Sequence, residues 1–238
     1  MLYLIGLGLD EKSLSKEAIH LIKRCKKVYL ENYTVDFPYT HQALIDEIGK
    51  KAIPANREKV ENLSIVDEAK KMDVALLVYG SPLTATTHIT LIQEALLSGV
   101  KYRVIHNASI LDAIAESGFQ LYKFGKITSM PAWKKSYEPD SFMEIIKKNQ
   151  LIKAHTLLLI DIGLSIKEAV KQLEKAATNH EVKLDKLVIC QCLGTKKRKI
   201  LYRNLEEIKE FSGVQKPYCI IVPGEMHFVE KEMLKNFE

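Results

Sequence analysis

A stretch of small and hydroxyl-bearing residues, Gly80-Ser-Pro-Leu-Thr-Ala-Thr-Thr-His88, contains the residue types in this chain that are best suited to binding a ligand. It follows the apolar run Val74–Tyr79 and precedes a helix-patterned segment, Ile89–Leu97. A strand that ends in such residues leaves a loop at the carboxyl edge of a sheet, where open α/β sheets bind ligands. We expect Thr86 and Thr87 to cap the helix that follows.

Two further segments have the same construction, Leu2–Leu9 and Tyr102–Ser109. Each is a short strand that ends in small or polar residues just before a helix. Because the carboxyl ends of parallel strands lie at one edge of a sheet, the three loops are predicted to line a single ligand-binding crevice.

The pair Gly6-Leu-Gly8 resembles the start of a dinucleotide-binding fingerprint, but position 11 is Glu11 instead of the third glycine. The carboxylates of Asp10 and Glu11 would also stand where a pyrophosphate should bind. The loop therefore argues against a dinucleotide and fits a nucleoside without phosphates, of which S-adenosylmethionine is one.

No metal site is predicted, because the seven histidines are scattered and none pairs with a cysteine at ligand spacing. His88 and His106 fall beside the candidate ligand loops. Each fits a loop-stabilising role better than proton transfer, and both alternatives stay open. No Gly-x-Ser-x-Gly motif accompanies Ser109, which argues against a serine nucleophile.

Four cysteines, Cys25, Cys190, Cys192 and Cys219, are predicted to be free buried thiols in a reducing compartment. Cys190 and Cys192 stand in a strand-like run and are expected to share one face. Without a signal peptide or an apolar run of membrane length, we expect a cytoplasmic protein with no membrane partner.

The composition is that of a globular protein, with 238 residues of which 47% are hydrophobic. Thirty-five basic and 30 acidic residues give a net charge of +5, spread along the chain, so we expect no direct nucleic-acid partner. The compact basic segment Lys196–Lys199 is expected to be a solvated turn between two strands, with a docking patch for a macromolecular partner as the alternative.

Strands and amphipathic helices alternate along the first half, which predicts an α/β fold with a parallel sheet covered on both faces. Predicted strands there are Leu2–Gly6, Lys27–Glu31, Val74–Tyr79 and Tyr102–Ile105. Predicted helices are Ser15–Cys25, Thr40–Gly49, Asn62–Lys71, Thr86–Leu97 and Ser109–Ser117.

The segment Gly118–Pro139 interrupts this alternation and is predicted to be a linker into a second α/β domain. The predicted domains are residues 1–118, with the parallel sheet, and 119–238. Strands without a helix between them, around Ile200–Tyr202, predict an antiparallel pair and hence a mixed sheet in the second domain.

Six ordered segments, running from Met1 to about Val229, resemble the diphthine synthase family. They are Met1–Leu9, Ala85–His88, Tyr102–Ile110, Tyr122–Gly125, His155–Ile162 and Ile220–Gly224. The resemblance implies the tetrapyrrole-methylase fold, with two α/β domains, the cofactor S-adenosyl-L-methionine in the cleft between them and a homodimer.

The family's cofactor contacts, transferred position by position, imply eight cofactor-binding residues. They are Leu9, Ser81, Thr84, Ser109, Ile110, Ile160, Leu193 and Tyr218. Two of them depart from the family pattern. Ser81 stands where the family usually has aspartate, and Tyr218 stands where it usually has histidine.

The resemblance further implies methylation of the amino group of a 3-amino-3-carboxypropyl-histidine on translation elongation factor 2, with S-adenosyl-L-homocysteine as the second product. No residue stands out as a general base, so the catalytic residues are not assigned. Two alternatives remain. One is a tetrapyrrole C-methyltransferase acting on a precorrin- or uroporphyrinogen-type substrate, and the other is a non-catalytic cofactor-binding relative.

Overall fold

The computed structural model describes residues 1–211 and 213–238, and the chain forms two compact units, Met1–Ala113 and Ile114–Glu238. The sequence placed this boundary five residues later. Residues 114–118 pack with the second unit, where Glu116 pairs with Arg198 at 3.1 Å. Gly118 lies so close to Met233 that a Cβ atom there would overlap the methionine side chain.

The first unit is built on a parallel five-stranded sheet, as predicted. The strands are β1 (Leu2–Gly6), β2 (Lys27–Glu31), β3 (Ile53–Ala55), β4 (Val74–Val78) and β5 (Tyr102–Ile105). Their order is β3-β2-β4-β1-β5, and every pair is parallel. The three strands whose loops were predicted to meet, β4, β1 and β5, are therefore neighbours.

Six helices cover this sheet. They are α1 (Lys16–Arg24), α2 (His41–Ile48), α3 (Arg57–Glu61), α4 (Ser64–Ala69), α5 (Ile89–Leu97) and α6 (Ile110–Ala113). The predicted helix Ser109–Ser117 is split, because residues 114–117 continue as a 3₁₀ turn. Neither β3 nor α3 was predicted, since each spans five residues or fewer and is too short to show a hydrophobic period.

Two separate cores occupy the two faces of the sheet. Leu4 and Leu76 face one core, whereas the next residues along the strands, Ile5 and Leu77, face the other. This alternation is what a sheet covered on both faces requires. The edge strand β5 is an exception to the predicted continuous apolar pattern, because its first residue, Tyr102, is exposed.

The second unit contains the predicted mixed sheet. Its strands are β6 (Thr128–Met130), β7 (Thr156–Ile160), β8 (Lys186–Gln191), β9 (Lys199–Asn204) and β10 (Tyr218–Val222). Their order is β6-β7-β10-β8-β9, with β6 and β7 parallel and the other pairs antiparallel. The prediction that residues 118–139 form a linker was wrong, because β6 lies within them. Its Thr-Ser-Met sequence carries no strand signal of its own.

The described residues of the second unit also include four helices. They are α7 (Ser141–Leu151), α8 (Ile166–Asn179), α9 (Leu205–Glu210) and α10 (Phe228–Leu234). A capping box begins α8, in which Ser165 and Glu168 each bond the other's backbone N–H. Helix α10 was not predicted, because Phe228 and Val229 are exposed and blur its amphipathic pattern. Within the described residues, no helix is both long and apolar enough to cross a membrane.

All four cysteines are free and buried, as predicted. Cys190 lies directly opposite Cys219 on the neighbouring strand. Cys192 follows the end of β8 with φ 45°, so the strand alternation that was expected to place it with Cys190 stops one residue earlier. Residues 196–198 lie in an exposed turn between β8 and β9, and Lys199 begins β9, which confirms the predicted turn between two strands.

Candidate functional site

The loops after β1 and β4 meet through their backbones. Gly8 N–H donates to the carbonyl of Gly80 at 3.1 Å, and Gly80 N–H donates to the carbonyl of Gly8 at 2.9 Å. Both glycines have φ 71°, a conformation in which a side chain would be strained. A Cβ atom at Gly6 would come within 2.7 Å of the Gly80 carbonyl oxygen. The Gly-x-Gly pair therefore serves the contact between two loops, which explains it without a phosphate.

Two side chains fix the first loop further. The Asn107 amide follows β5 and donates to the carbonyl oxygens of Gly6 at 3.2 Å and Ser13 at 3.0 Å. The Tyr79 hydroxyl donates to the carbonyl of Leu9 at 3.1 Å. The strand ends of β1, β4 and β5 are thus joined by hydrogen bonds, so the predicted convergence of three loops in the first unit is confirmed.

Three of the predicted cofactor residues lie in the first two of these loops. Leu9 is buried, and its carbonyl is engaged by Tyr79. Ser81 is only 9% exposed, its carbonyl accepts from Thr84 N–H at 3.1 Å, and its hydroxyl has no hydrogen-bond partner among the described residues. Thr84 is half-buried.

Ser109 and Ile110 stand at the start of α6. The backbone N–H and the hydroxyl of Ser109 donate to the Asp112 carboxylate at 2.7 and 2.9 Å. These two bonds, the backbone one first, lower the pKa of Asp112. The Ser109 hydroxyl also accepts from Leu111 N–H at 3.2 Å, so it caps this short helix. Ile110 is half-buried.

His88 holds the central loop in place. It is 1% exposed, its Nδ1 lies 3.0 Å from the Pro82 carbonyl oxygen, and its Nε2 lies 3.5 Å from the Tyr33 hydroxyl. These contacts favour the loop-stabilising alternative. His106, in contrast, is exposed.

The prediction that Thr86 and Thr87 cap α5 was wrong. The N-cap is His88, without a side-chain bond to the helix. Thr86 instead donates back to the carbonyl of Pro82 at 2.9 Å, because residues 81–88 close on themselves as a turn before α5 begins.

The other three predicted residues lie in the second unit. Ile160 ends β7 and is half-buried, and Leu193 follows β8 and is 3% exposed. Tyr218 opens β10 and is buried, with its hydroxyl donating to the carbonyl of Leu164 at 3.2 Å. Burial, followed by the nearby Glu168 carboxylate, raises the pKa of Tyr218. Its polar tip is therefore engaged within the unit. Leu164 and Glu168 also line a cleft of about 350 Å³, together with Trp133 and Lys171.

Sequence reasoning missed a buried polar cluster in the second unit. His155 and Glu230 are both fully buried, and His155 Nε2 lies 3.3 Å from Glu230 Oε1. Gly224 N–H donates to His155 Nδ1 at 2.9 Å, so the ring hydrogen sits on Nε2 and points to Glu230. Lys123 donates to Glu230 at 2.7 Å.

The surroundings of this cluster explain its titration. Burial would raise the pKa of Glu230, but hydrogen bonds from Lys123, Gln120 N–H and His227 N–H lower it to about 2. Burial lowers the pKa of His155, against the pull of Glu230. One signal for this cluster is present in the sequence, because two of its residues fall in segments that resemble the family. His155 begins the segment His155–Ile162, and Lys123 lies within Tyr122–Gly125.

The chain matches a family of known enzymes along most of its length. The model of the tetrapyrrole (corrin/porphyrin) methylases matches residues 1–209. The two-sheet α/β architecture agrees with this match, so the fold is that of a tetrapyrrole methylase, as the sequence predicted.

Individual relatives narrow the class. The diphthine methyl ester synthase of Mus musculus is 36% identical over 270 residues, which cover 100% of this chain and 96% of the relative. The diphthine synthase of Methanocaldococcus jannaschii is 34% identical, with 99% and 98% covered. A crystal structure of diphthine synthase superimposes with a TM-score of 0.90 at 30% identity, covering 100% of this chain and 96% of the other. The chain therefore belongs to the diphthine synthases within the tetrapyrrole methylase family, and it is an S-adenosylmethionine-dependent methyltransferase.

Proposed function

We propose that this protein transfers methyl groups from S-adenosyl-L-methionine to the amino group of the 3-amino-3-carboxypropyl side chain of a modified histidine on translation elongation factor 2. The observation that carries the proposal is the full-length similarity to proteins named diphthine synthase and diphthine methyl ester synthase. These two names imply different methyl acceptors, an amine and a carboxylate, and the proposal commits to the amine.

The residues at the strand ends suit a nucleoside cofactor. Leu9 and Leu193 each offer buried apolar surface for a purine, while Ser81 and Thr84 place hydroxyl groups in the loop after β4. Gly6 and Gly8 pack against the loop at Gly80, so they do not form a phosphate-binding loop. We propose that all eight predicted residues contact S-adenosyl-L-methionine, which supplies a methyl group already activated by its sulfonium.

Methyl transfer makes modest chemical demands on this chain. The acceptor amine must be neutral, aligned with the methyl carbon opposite the departing sulfur, and shielded from water. Backbone bonds between Gly8 and Gly80, and side-chain bonds from Tyr79 and Asn107, fix the loops that would position a bound donor. No side chain is assigned as the base that takes the amine proton.

A labelled transfer assay tests the proposal. The protein is incubated with methyl-labelled S-adenosylmethionine and elongation factor 2 that carries the 3-amino-3-carboxypropyl-histidine intermediate. Elongation factor 2 with unmodified histidine is the matched control. We expect label only in the intermediate form, stable to mild base, because N-methyl groups resist the hydrolysis that removes a methyl ester.

Three other outcomes would redirect the assignment. Label that mild base removes would indicate an ester. Label in a uroporphyrinogen-type tetrapyrrole and none in elongation factor 2 would support the C-methyltransferase alternative. Cofactor binding without transfer to any acceptor would support a non-catalytic relative.

We also propose that the protein acts as a homodimer. Sedimentation equilibrium at micromolar concentration should then give twice the mass of one chain. A mass of one chain across the concentration range would contradict this.

A further inference from the structure

Four aromatic rings form a cluster in the first unit that the proposed function does not yet use. The centroid of Phe37 lies 5.4 Å from Tyr39, 5.3 Å from Tyr79 and 5.0 Å from His41, each with edge-to-face packing. All four side chains are half-buried and so reach the surface of the unit. We call them the aromatic cluster.

The aromatic cluster adjoins the candidate cofactor loops. Tyr79 directly follows β4 and precedes Gly80, and its hydroxyl is bonded to the Leu9 carbonyl. The two residues after Leu9 are acidic, Asp10 and Glu11. Burial first, and then Tyr79 and these two carboxylates, raise the pKa of Tyr39. Because Asp10 and Glu11 directly follow Leu9, which is bonded to Tyr79, their negative charge lies beside the cluster.

The Tyr39 hydroxyl carries the second, independent observation. It is buried and has no hydrogen-bond partner among the residues that the structure describes. A buried hydroxyl that makes no bond destabilises the protein that holds it, so such groups are commonly satisfied by a ligand or by water. The oxygen can accept a hydrogen bond from an N–H group.

We propose that the aromatic cluster binds a methylated onium group, an ammonium or a sulfonium, beside the first candidate cofactor loop. Aromatic faces attract organic cations, and the cationic groups preferred by such rings are bulky and weakly hydrated. Asp10 and Glu11 add negative charge to the same edge. The inference rests on the proposed function, because a methyltransferase presents such groups both on its donor and on a methylated amine.

A binding experiment without turnover tests the cluster directly. Saturation-transfer NMR is recorded with tetramethylammonium and with tert-butanol, an uncharged probe of similar size. We expect transfer to tetramethylammonium and little to tert-butanol. Phe37→Leu, which keeps apolar volume and removes the central ring, should weaken tetramethylammonium binding about two- to fivefold.

The matched control is Tyr102→Leu. Tyr102 opens β5 and lies at the amino end of the same sheet, so its loss should leave probe binding unchanged. Equal transfer to both probes, or equal affinity in wild type and Phe37→Leu, would overturn the proposal.

Tyr39→Phe removes the hydroxyl and keeps the ring, so it separates their contributions to binding. Trimethylammonium has one N–H group and tetramethylammonium has none. We expect Tyr39→Phe to weaken binding of trimethylammonium about three- to tenfold, without a matching effect on tetramethylammonium or a lower urea midpoint. A lower urea midpoint together with unchanged binding of both ammonium probes would show that the hydroxyl serves the fold alone.

Competition identifies the source of the onium group. If saturating S-adenosylmethionine displaces tetramethylammonium, the cluster holds the donor's sulfonium; if both bind together, it holds the acceptor's ammonium. Either result supports an onium site. The experiment also stands apart from the proposed function, since failure of methyl transfer to elongation factor 2 would leave the probe result unchanged, and the reverse holds as well.

Discussion

At the scale of single residues, Ser81 and Tyr218 are the two positions where the chain departs from the family pattern. The departures differ in consequence. Tyr218 is anchored, because its hydroxyl donates to the Leu164 carbonyl within the unit. Ser81 is nearly buried and its hydroxyl has no partner among the described residues, so it retains capacity to bond a ligand.

Restoring the family's carboxylate at position 81 should strengthen cofactor binding. If the Ser81 position faces the cofactor, Ser81→Asp should tighten S-adenosylmethionine by about 1–2 kcal/mol, the scale of one charge-assisted hydrogen bond net of desolvation. Ser81→Asn is the matched control, since it has the same shape without the charge and should gain less. Titration calorimetry measures both, and unchanged or weaker affinity for the aspartate variant would mean that the pocket has adapted to serine.

The buried pair His155–Glu230 makes a prediction about acid stability. The pKa of Glu230 falls to about 2 in the folded protein, below its ordinary value, so its contribution is present above about pH 4.5 and is lost as pH falls toward 2. The lowered pKa of His155 acts in the same direction, because the unfolded chain gains that proton first, below about pH 6.5. Stability should therefore fall steadily on acidification.

Glu230→Gln should destabilise the protein by about 1.5–3 kcal/mol at neutral pH, because the fully buried carboxylate accepts charge-assisted hydrogen bonds from the half-buried Lys123 and from the backbone N–H groups of Gln120 and His227. Its urea midpoint should also vary less with pH below 4.5 than that of wild type. Glu225→Gln is the control, since Glu225 pairs with Lys153 at 2.7 Å but both side chains are exposed. A loss for Glu225→Gln as large as that for Glu230→Gln would contradict the argument.

At the scale of elements, the first unit depends on how closely three strand ends can approach. Strands β4, β1 and β5 are adjacent, so their following loops meet at one edge of the sheet. A Cβ atom at Gly6 would clash with the Gly80 carbonyl oxygen and one at Gly8 would clash with Ser13, and Asn107 bonds the first loop to the end of β5. The loop geometry is therefore a property of the strand order together with the absence of a Cβ atom at Gly6.

Gly6→Ala should separate these loops. A Cβ atom there would meet the Gly80 carbonyl oxygen at 2.7 Å, which real structures do not tolerate. We expect the affinity for S-adenosylmethionine, measured by calorimetry, to fall at least about tenfold, or 1.4 kcal/mol.

Gly99→Ala is the control for Gly6→Ala. Gly99 has φ 66° with open space around it, so alanine there adds only backbone strain of about 1 kcal/mol. It should lower the urea midpoint and leave cofactor affinity unchanged. Equal cofactor affinity for Gly6→Ala and wild type would show that the loop contact does not shape the binding site.

At the scale of the whole molecule, the distribution of basic residues suggests where a protein substrate could dock. The net charge of +5 is modest, but Lys196–Lys199 concentrates four basic residues in one exposed segment at the start of β9. Arg198 pairs with Glu116, and the Lys199 ammonium lies 4.5 Å from the Phe211 ring centre. Because Arg198 and Lys199 make contacts within the second unit, substituting them could also disturb the fold. Lys196 is therefore the better residue with which to test whether this segment docks a protein substrate.

Lys196→Glu should raise the apparent KM for elongation factor 2 about two- to tenfold at low salt, with no change in cofactor affinity. The effect should shrink as salt is added, because interactions between exposed charges are screened. Lys51→Glu reverses an exposed charge in the first unit and serves as the control. Equal kinetics for Lys196→Glu and wild type at low salt would remove the turn from the docking surface.

Much of the fold follows from local patterns that the sequence carries by itself. Apolar runs bounded by polar residues defined β1 and β2 to the residue, and alternation with helices predicted the parallel sheet. The short elements β3, β6 and α10 could not be found this way, because their pairing partners and packing surfaces, not their own residues, make them regular.

The same distinction between local patterns and tertiary contacts applies to the candidate site. The sequence by itself determined which loops end the strands, and its family resemblance supplied eight residues whose cofactor contacts remain predictions. Only the tertiary structure decided which distant residues contact one another: Tyr79 bonds Leu9 across 70 positions, and His155 lies against Glu230 across 75. Contacts between residues so distant in sequence leave no periodic signal, since they depend on which strands become neighbours and how closely their ends can pack.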